Sequence, residues 1–474
     1  MTDVVQKLWG FCHTLRHDGI DYGDYIEQIT YLLFLKMADE RSVELPAGCD
    51  WAHLKLLSGV ALTDGYPTML RDLGKQPGIL GDIFAGAQSR FTNPVNLRKL
   101  ITLIDETEWT SLEVDVKAEA FEGLLEKAAS EGKKGAGQYF TPRLLIQSMM
   151  RCVKPDPRAK ADFTIGDPAC GTGGFLVAAN EWFKEELKSE KATPDRETQK
   201  RIREKTYYGQ ELVARPRRLA LMNLYLHNVS PHIALGDSIY EVYGGPKFDV
   251  VITNPPFGNR GANQAPERED FTVTTSNKQL NFIQHILTIL KPGGRAAVVV
   301  PDNVLFADQA GEVFEILMQD CDLHTVLRLP RGTFTPYTPG TKTYVIFFTK
   351  GKRTEKVWLY DGRANVPGIT KKDRPLSAAH FADFEACYGE DPNGKSPRTE
   401  TDRFRCFGME EIKKRQYKLD GFKWIKDDSL DDADDLGEPE EIITEAVTQL
   451  SATIEELNQV LKLLEKPEKA GAEL

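Results

Sequence analysis

No stretch of this 474-residue chain approaches the ~18 uncharged apolar residues that a membrane-spanning helix needs, so no membrane span is expected. The amino-terminal MTDVVQKLWGFC carries charge early and has no apolar core, which argues against a secretory signal. Cysteine is sparse: the seven residues, at positions 12, 49, 152, 170, 321, 387 and 406, are odd in number and form no C-x-x-C pair. That scatter argues against a disulfide framework and against a zinc or other metal site. It fits a reducing compartment, by default the cytoplasm. Positive charge is also in deficit. A formal net charge of −11 is an obstacle to binding nucleic acid, because neutralised phosphates supply most non-specific affinity. A nucleic-acid protein of this composition must gather its basic residues on one face, or take part of its grip from a partner.

What is present reads as a globular protein, with 41% hydrophobic and 28% charged residues. The length predicts two or three domains. Charge is unevenly spread: residues 427–441 hold nine acidic residues and no basic one, whereas Arg215-Pro-Arg-Arg218 and Lys413-Lys-Arg415 are basic clusters. Taken alone, short clusters of this kind read as solvated faces.

Residues 1–130 are expected to form a helical domain. Leu8, Phe11, Cys12 and Leu15 fall at helical spacing, and Tyr25–Met37 predicts a second, more apolar helix. The glycines of 132–137 break the pattern as a linker or loop. Over 131–355 the pattern changes to short apolar runs alternating with helical segments. The runs lie at 163–165, 206–208, 232–235, 249–253, 295–300, 325–329 and 344–348, with helices such as 174–188 and 280–290 between most of them. Such alternation predicts an α/β domain with a mainly parallel sheet covered on both faces. The last two runs lack an intervening helix and suggest a terminal antiparallel hairpin. Residues 356–440 read as an irregular extension. Over 441–466, Ile443, Val447, Leu450, Ile454, Leu457, Leu461 and Leu464 make a heptad seam. It packs either on its own chain or on a helical partner.

Two segments carry the chemistry. Asp167-Pro-Ala-Cys-Gly-Thr-Gly-Gly174 follows the first strand and opens a helix, and Gly171, Thr172, Gly173 and Gly174 allow a ligand to approach the backbone. No Gly-Lys-Ser/Thr follows, which excludes a nucleotide P-loop. The second strand ends at Glu211, an acid placed to accept hydrogen bonds from ribose hydroxyls. It lies 44 residues beyond Asp167, against about 20 in a dinucleotide fold, so a dehydrogenase is disfavoured. The third strand leads to Asp237, a carboxylate able to accept from an adenine amine. Three acids on successive strand ends point to a nucleoside site.

The fourth strand runs into Asn254-Pro-Pro-Phe257. This tetrad resembles motif IV of amino-methyltransferases, and phenylalanine in its fourth place points to adenine in DNA. The resemblance implies that the Asn254 side-chain oxygen and the Pro255 carbonyl each accept one hydrogen of adenine N6. Pro256 stiffens the loop, and Phe257 offers a face for a base flipped out of the duplex. Nearly the whole chain resembles the modification subunit of type I restriction–modification systems. LRHDGIDYGDYIEQITYLLFLKMADE resembles that family's helical domain. Gln138-Tyr139-Phe140-Thr141-Pro142-Arg143 resembles its motif X, beside the methionine end of the donor. ELVARPRRLALMNLYLHN, LKPGGRAAVVVPDNVLF and LRLPRGTFTPYTPGTKT resemble its later elements, and Lys342 falls near the expected target-base loop.

The resemblance implies a doubly wound, seven-stranded Rossmann-like methyltransferase domain. It implies S-adenosylmethionine as cofactor, with Gln138–Arg143, Asp167, Gly171–Gly174, Glu211 and Asp237 at its site. It further implies double-stranded DNA as substrate and two modification subunits on one specificity subunit, to which a restriction subunit can add. The competing readings are a solitary amino-methyltransferase acting on RNA or on protein glutamine, and a non-catalytic scaffold that binds cofactor and DNA.

Overall fold

A computed structural model describes residues 10–11, 20, 22–40, 42–109, 141–230, 232–257, 264–335, 340–370 and 372–427. Gln138, Tyr139, Phe140, the glycines of 132–137, most of the first expected helix and the heptad segment lie outside the described residues. No helix among the described residues is long and apolar enough to cross a membrane.

The amino-terminal part is helical: α1 (Tyr22–Glu40), α2 (Trp51–Leu56), α3 (Gly59–Leu73), α4 (Ile79–Phe84) and α5 (Pro94–Asp105). Asn93 caps the start of α5 by accepting from Val95 N, with proline in the first turn, where its missing N–H costs nothing. Helix α1 is buried on nearly every face, including Ile26, Ile29, Leu32, Phe34 and Met37. An amphipathic surface helix could not be. The reason is that α1 touches a second body, helix α9 (Ala214–Leu226) of the α/β part of the chain, where Phe34 meets Tyr225 with ring centroids 5.1 Å apart.

The same seam corrects the reading of Arg215–Arg218 as a solvated face. Arg215 pairs with Asp24 at 2.7 Å, Arg217 with Asp82 at 2.8 Å and Arg218 with Glu27 at 2.5 Å. Arg218 also donates to the Ala85 carbonyl. Sequence could not show this, because the acids lie more than a hundred residues away.

The α/β part begins with α6 (Arg143–Val153). It continues through β1 (Ile165–Asp167), α7 (Gly174–Ser189), α8 (Arg196–Lys205), β2 (Tyr207–Glu211), α9, β3 (His232–Leu235), β4 (Phe248–Thr253) and α10 (Lys278–Ile289). Then come β5 (Leu290–Pro301), α11 (Ala310–Asp320), β6 (Cys321–Arg328) and β7 (Thr343–Lys350). The seven expected strands are all present, and β7 lies antiparallel between β5 and β6.

The expectation of an irregular extension after 355 is corrected. Strands β8 (Lys356–Asp361) and β9 (Phe404–Gly408) join the same sheet, and α12 (Ala379–Tyr388) and α13 (Met409–Lys414) accompany them. The sheet is nine-stranded, in the order β3-β2-β1-β4-β5-β7-β6-β8-β9. Strand β8 is short and apolar on both faces, Val357 and Leu359 on one and Trp358 and Tyr360 on the other. It therefore lacks the polar alternation that marks an edge strand.

Period-two alternation divides the core. Val250, Ile252, Ala297, Val299, Val345 and Phe347 face α6, α7 and α12, whereas Val251, Ala296, Val298, Ile346 and Phe348 face α10 and α11. Strand order reverses between β1 and β4, so their carboxyl ends border the crevice where open α/β sheets bind ligands.

The extension is tied to the core by a buried ion pair, Arg328 Nη1 to Asp361 Oδ2 at 2.6 Å. Arg328→Ala is expected to destabilise the fold by about 3–5 kcal/mol, because Asp361 is left buried and unpaired. Replacing both partners by apolar residues should cost far less. Denaturant unfolding of the single and double variants checks this.

Candidate active site at the switch point of the sheet

The loop after β1 is built to leave backbone exposed. Gly171 and Gly173 take φ of +53° and +82°, a region that side-chain-bearing residues rarely enter. A Cβ on Gly173 would sit 3.3 Å from that of Ala220 on α9. The loop is fastened at several points: Cys170 N donates to Gln210 O at 3.0 Å, Asn223 Nδ2 to Thr172 O at 3.1 Å, and Ser238 Oγ to Pro168 O at 2.6 Å. Strands β1 and β2 and the turn after β3 are thereby held as one unit.

The three acids lie along this rim. Asp167 is buried, with Oδ1 accepting from Ala169 N at 3.1 Å. Burial pushes its carboxyl up to about 7 and Glu211 adds to the rise, while Thr253 and Ala169 pull it back. Thr253 approaches from the end of β4, yet neither its hydroxyl nor Asp167 Oδ2 completes a well-formed hydrogen bond. Glu211 bridges two backbone segments, accepting from Val213 N at 2.9 Å and from Gly171 N at 3.0 Å. Burial raises its carboxyl as well. A carboxylate has about four acceptor positions, so capacity for hydroxyl donors remains. Asp237 accepts from Ile239 N and Tyr240 N, which orders its turn.

Across the crevice, β4 delivers the tetrad. Asn254 Nδ2 donates to Thr141 Oγ1 at 2.9 Å, while Asn254 Oδ1 is buried with no hydrogen-bond partner among the described residues. Gln279 Nε2, from the first turn of α10, holds the Pro256 carbonyl at 3.2 Å. Phe257 is half-buried, its ring met edge-on by the buried Phe334 with centroids 5.8 Å apart and planes at 75°. An edge contact of this kind helps to fix the orientation of the ring.

Thus Thr141, Asp167, the glycine loop, Glu211, Asp237 and the tetrad share one rim. Arg143 does not join them: its guanidinium turns to Glu181 on α7, 3.2 Å from both oxygens. Lys342 is exposed, with its carbonyl accepting from Asp302 N. A cleft of about 480 Å³ lined by Arg158, Thr193, Asp195 and Arg201 lies beyond the opposite, amino-terminal ends of the strands. Its arginines are consumed by Asp156, Glu190 and backbone carbonyls, so it offers no competing site.

Residues 112–433 match the family model described as N-6 DNA Methylase. The chain belongs to the N-6 DNA methylase family. Residues 4–127 match the HsdM N-terminal domain. The chain is 38% identical to the type I restriction enzyme EcoKI methylase subunit of Escherichia coli (strain K12), over 98% of this chain and 95% of that protein. It is 37% identical to the StySPI methylase subunit of Salmonella potsdam, over 99% and 97%. A solved structure from work on complex assembly and conformational transition of the type I R-M system superposes with a TM-score of 0.74, at 26% identity. It covers 98% of this chain and 99% of that one. Membership of this family makes the chain a DNA methyltransferase, and the switch-point crevice is where a donor and a base can be brought together.

Some residues of this family member's rim were not legible in its sequence. Phe334 and Gln279 reach the tetrad only through tertiary packing. Leu212, next to Glu211, is 62% exposed, an apolar face on a polar rim that one leucine in a sequence does not advertise.

Asp167 generates a pH prediction. Its folded pKa of about 7 lies above the ordinary ~3.9 of an unfolded aspartate. Between those values the folded chain holds a proton that the unfolded chain has released. Stability should therefore fall as pH rises through that window, and the loss is complete above about 7. Asp167→Asn should lack this slope, which denaturant melts of both proteins from about pH 5 to 8 measure.

Proposed function

We propose that this chain transfers a methyl group from S-adenosylmethionine to N6 of an adenine flipped out of double-stranded DNA. It does so as the modification subunit of a type I assembly. The observation that carries the reading is the Asn254 side chain: its nitrogen is held by Thr141, and its buried oxygen has no donor among the described residues. An orphaned buried acceptor costs about 1–3 kcal/mol, a cost that a bound amine relieves.

The cradle fits the donor. A buried carboxyl at Asp167 with one oxygen lacking a well-formed bond suits an ammonium group. Glu211 has acceptor capacity for ribose hydroxyls, and exposed Leu212 offers a flat ring an apolar face. When bound, S-adenosylmethionine supplies the electrophilic methyl group. Asn254 Oδ1 and the Pro255 carbonyl each accept one N6 hydrogen. This draws the amine towards tetrahedral geometry and localises a lone pair otherwise spread into the adenine ring. Phe257, held by Phe334, gives the base a stacking surface worth about 1–3 kcal/mol. That offsets much of the few kcal/mol that flipping costs. As the N–C bond forms the methyl leaves sulfur, and the methylated nitrogen, now cationic, loses one proton to solvent to give the neutral secondary amine, so no strong general base is required.

An acidic chain needs help with phosphates, which supports a separate specificity subunit, two modification subunits to each, and a restriction subunit able to join them. The heptad sequence of 441–466 is the segment assigned to that assembly. The curated relatives are named methylase subunits of type I restriction enzymes, which supports the same reading. The reading includes action in the cytoplasm and adenine as the target base, the latter supported by Phe257 in the fourth place of the tetrad. Transfer of labelled methyl to duplex DNA and not to RNA, in the assembled complex, tests the whole; labelling of RNA or protein alone would sink it.

Two variants probe the roles. Asn254→Ala should abolish methyl transfer and leave donor affinity nearly unchanged, and turnover above about a tenth of wild type, about 1.4 kcal/mol in barrier, would remove its assignment. Glu211→Ala should weaken donor binding by roughly 1.5–3 kcal/mol, the range for hydrogen bonds to a charged acceptor. Calorimetry on the full chain measures the change.

A further inference from the structure

Arg268 lies in the segment that continues from the catalytic tetrad to α10 and is only 6% exposed. Burying a guanidinium is costly unless its donors find acceptors, and here they do. Nε and Nη2 make a fork on the Asp270 carboxylate at 2.8 and 2.5 Å. Nη1 donates to the carbonyls of Ser238 at 2.9 Å and Glu241 at 3.0 Å, with Ile239 O at 3.4 Å and His285 Nδ1 at 3.1 Å. Phe271 lies flat beneath, its ring centre 4.0 Å from the guanidinium carbon.

The two sides of this clamp belong to different halves of the site. Ser238–Glu241 is the turn that follows Asp237, and Ser238 also holds Pro168 in the glycine loop. Residues 264–277 follow the tetrad and are stapled to α10. Gln284 accepts from Thr272 N and Val273 N, and Asn281 donates to Thr275 O. His285 stands between the halves. A guanidinium only donates, so Nδ1 accepts and Nε2 carries the ring proton; burial and the neighbouring cation push the imidazole down to about 3 and keep it neutral. His285 Nε2 and Gln210 Oε1 are both buried with no hydrogen-bond partner among the described residues. With Asp167 they line a cavity of about 10 Å³, about the room one water needs.

We propose that Arg268 is a positioning residue that locks the segment following the catalytic tetrad onto the turn following Asp237, so that donor binding orders the target-base side of the crevice. The inference rests on the methyltransferase reading. Arginine is required because its planar fork serves Asp270 while its remaining nitrogen reaches three carbonyls and a ring nitrogen; an ammonium cannot do both.

Hydrogen–deuterium exchange of the full chain with and without S-adenosylmethionine tests it. In the wild type, donor binding should slow exchange in 236–241 and in 264–277 together. In Arg268→Met, protection should shrink to 236–241, and the donor dissociation constant should rise about five- to tenfold, the lower end of typical coupling. If Arg268→Met fails to fold, Arg268→Lys, which keeps the charge and loses the fork, carries the same comparison. Protection confined to 236–241 in the wild type, or retained over both segments in the folded variant, would overturn the lock. Absence of any donor binding to the wild type, read by calorimetry, would instead overturn the methyltransferase reading and the lock with it.

Discussion

One hydrogen bond, from Asn254 Nδ2 to Thr141 Oγ1, sets the orientation of the amide at the end of the tetrad's strand. A primary amide has a donor end and an acceptor end of nearly the same shape, and only one of them can relieve an amine of its hydrogens. By taking the donor end, Thr141 leaves the oxygen as the free group. Thr141 stands immediately before α6, whose buried face packs on the sheet, whereas Asn254 ends β4, buried along its length. The bond therefore depends on the close packing of helix on sheet, and a shift of about an ångström between them would break it.

The rest of the crevice follows from polar groups held inside the protein. Helix α10 buries Gln279, Asn281, Gln284 and His285, a face that an ordinary core helix would fill with leucine. Gln279 holds the Pro256 carbonyl, and Asn281 and Gln284 hold backbone of residues 272–275, so polar groups of an irregular stretch find partners in the helix. Arg268 completes the arrangement from the segment's own side. The result is that residues 264–277, although irregular, are held to α10 at several points.

The two further strands change how the crevice is supported. Without β8 and β9, the β6 edge would be open and the loop bearing Phe334 would have nothing beyond it. With them, Gly332 and Thr335 pack against Ile369 from the β8–α12 connection, and Arg331 pairs with Asp427. The ring behind Phe257 is thus backed by a part of the chain that lies outside the seven-stranded core. The ion pairs between α9 and the helical domain brace the other edge in the same way, beside the β3 turn.

The sequence by itself determined the alternation of strands and helices, the two glycine- and proline-marked loops, and the acids on successive strand ends. Each is a local pattern: side-chain period, a positive-φ requirement, or a tetrad following a buried run. Strand β8 was not legible, because a short run apolar on both faces looks the same in a strand, a loop or a helix end, and β9 was not, because its five residues carry only a brief apolar pattern around Arg405. Nor could sequence give the roles of Thr141, Phe334, Gln279 and Arg268, or the docking of Arg215–Arg218. Thr141 lies 113 residues from the amide it orients, and Arg218 lies 191 from Glu27. Their partners are chosen by how the sheet is wound and which helices it brings together, and that is settled by long-range burial, which no local spacing encodes.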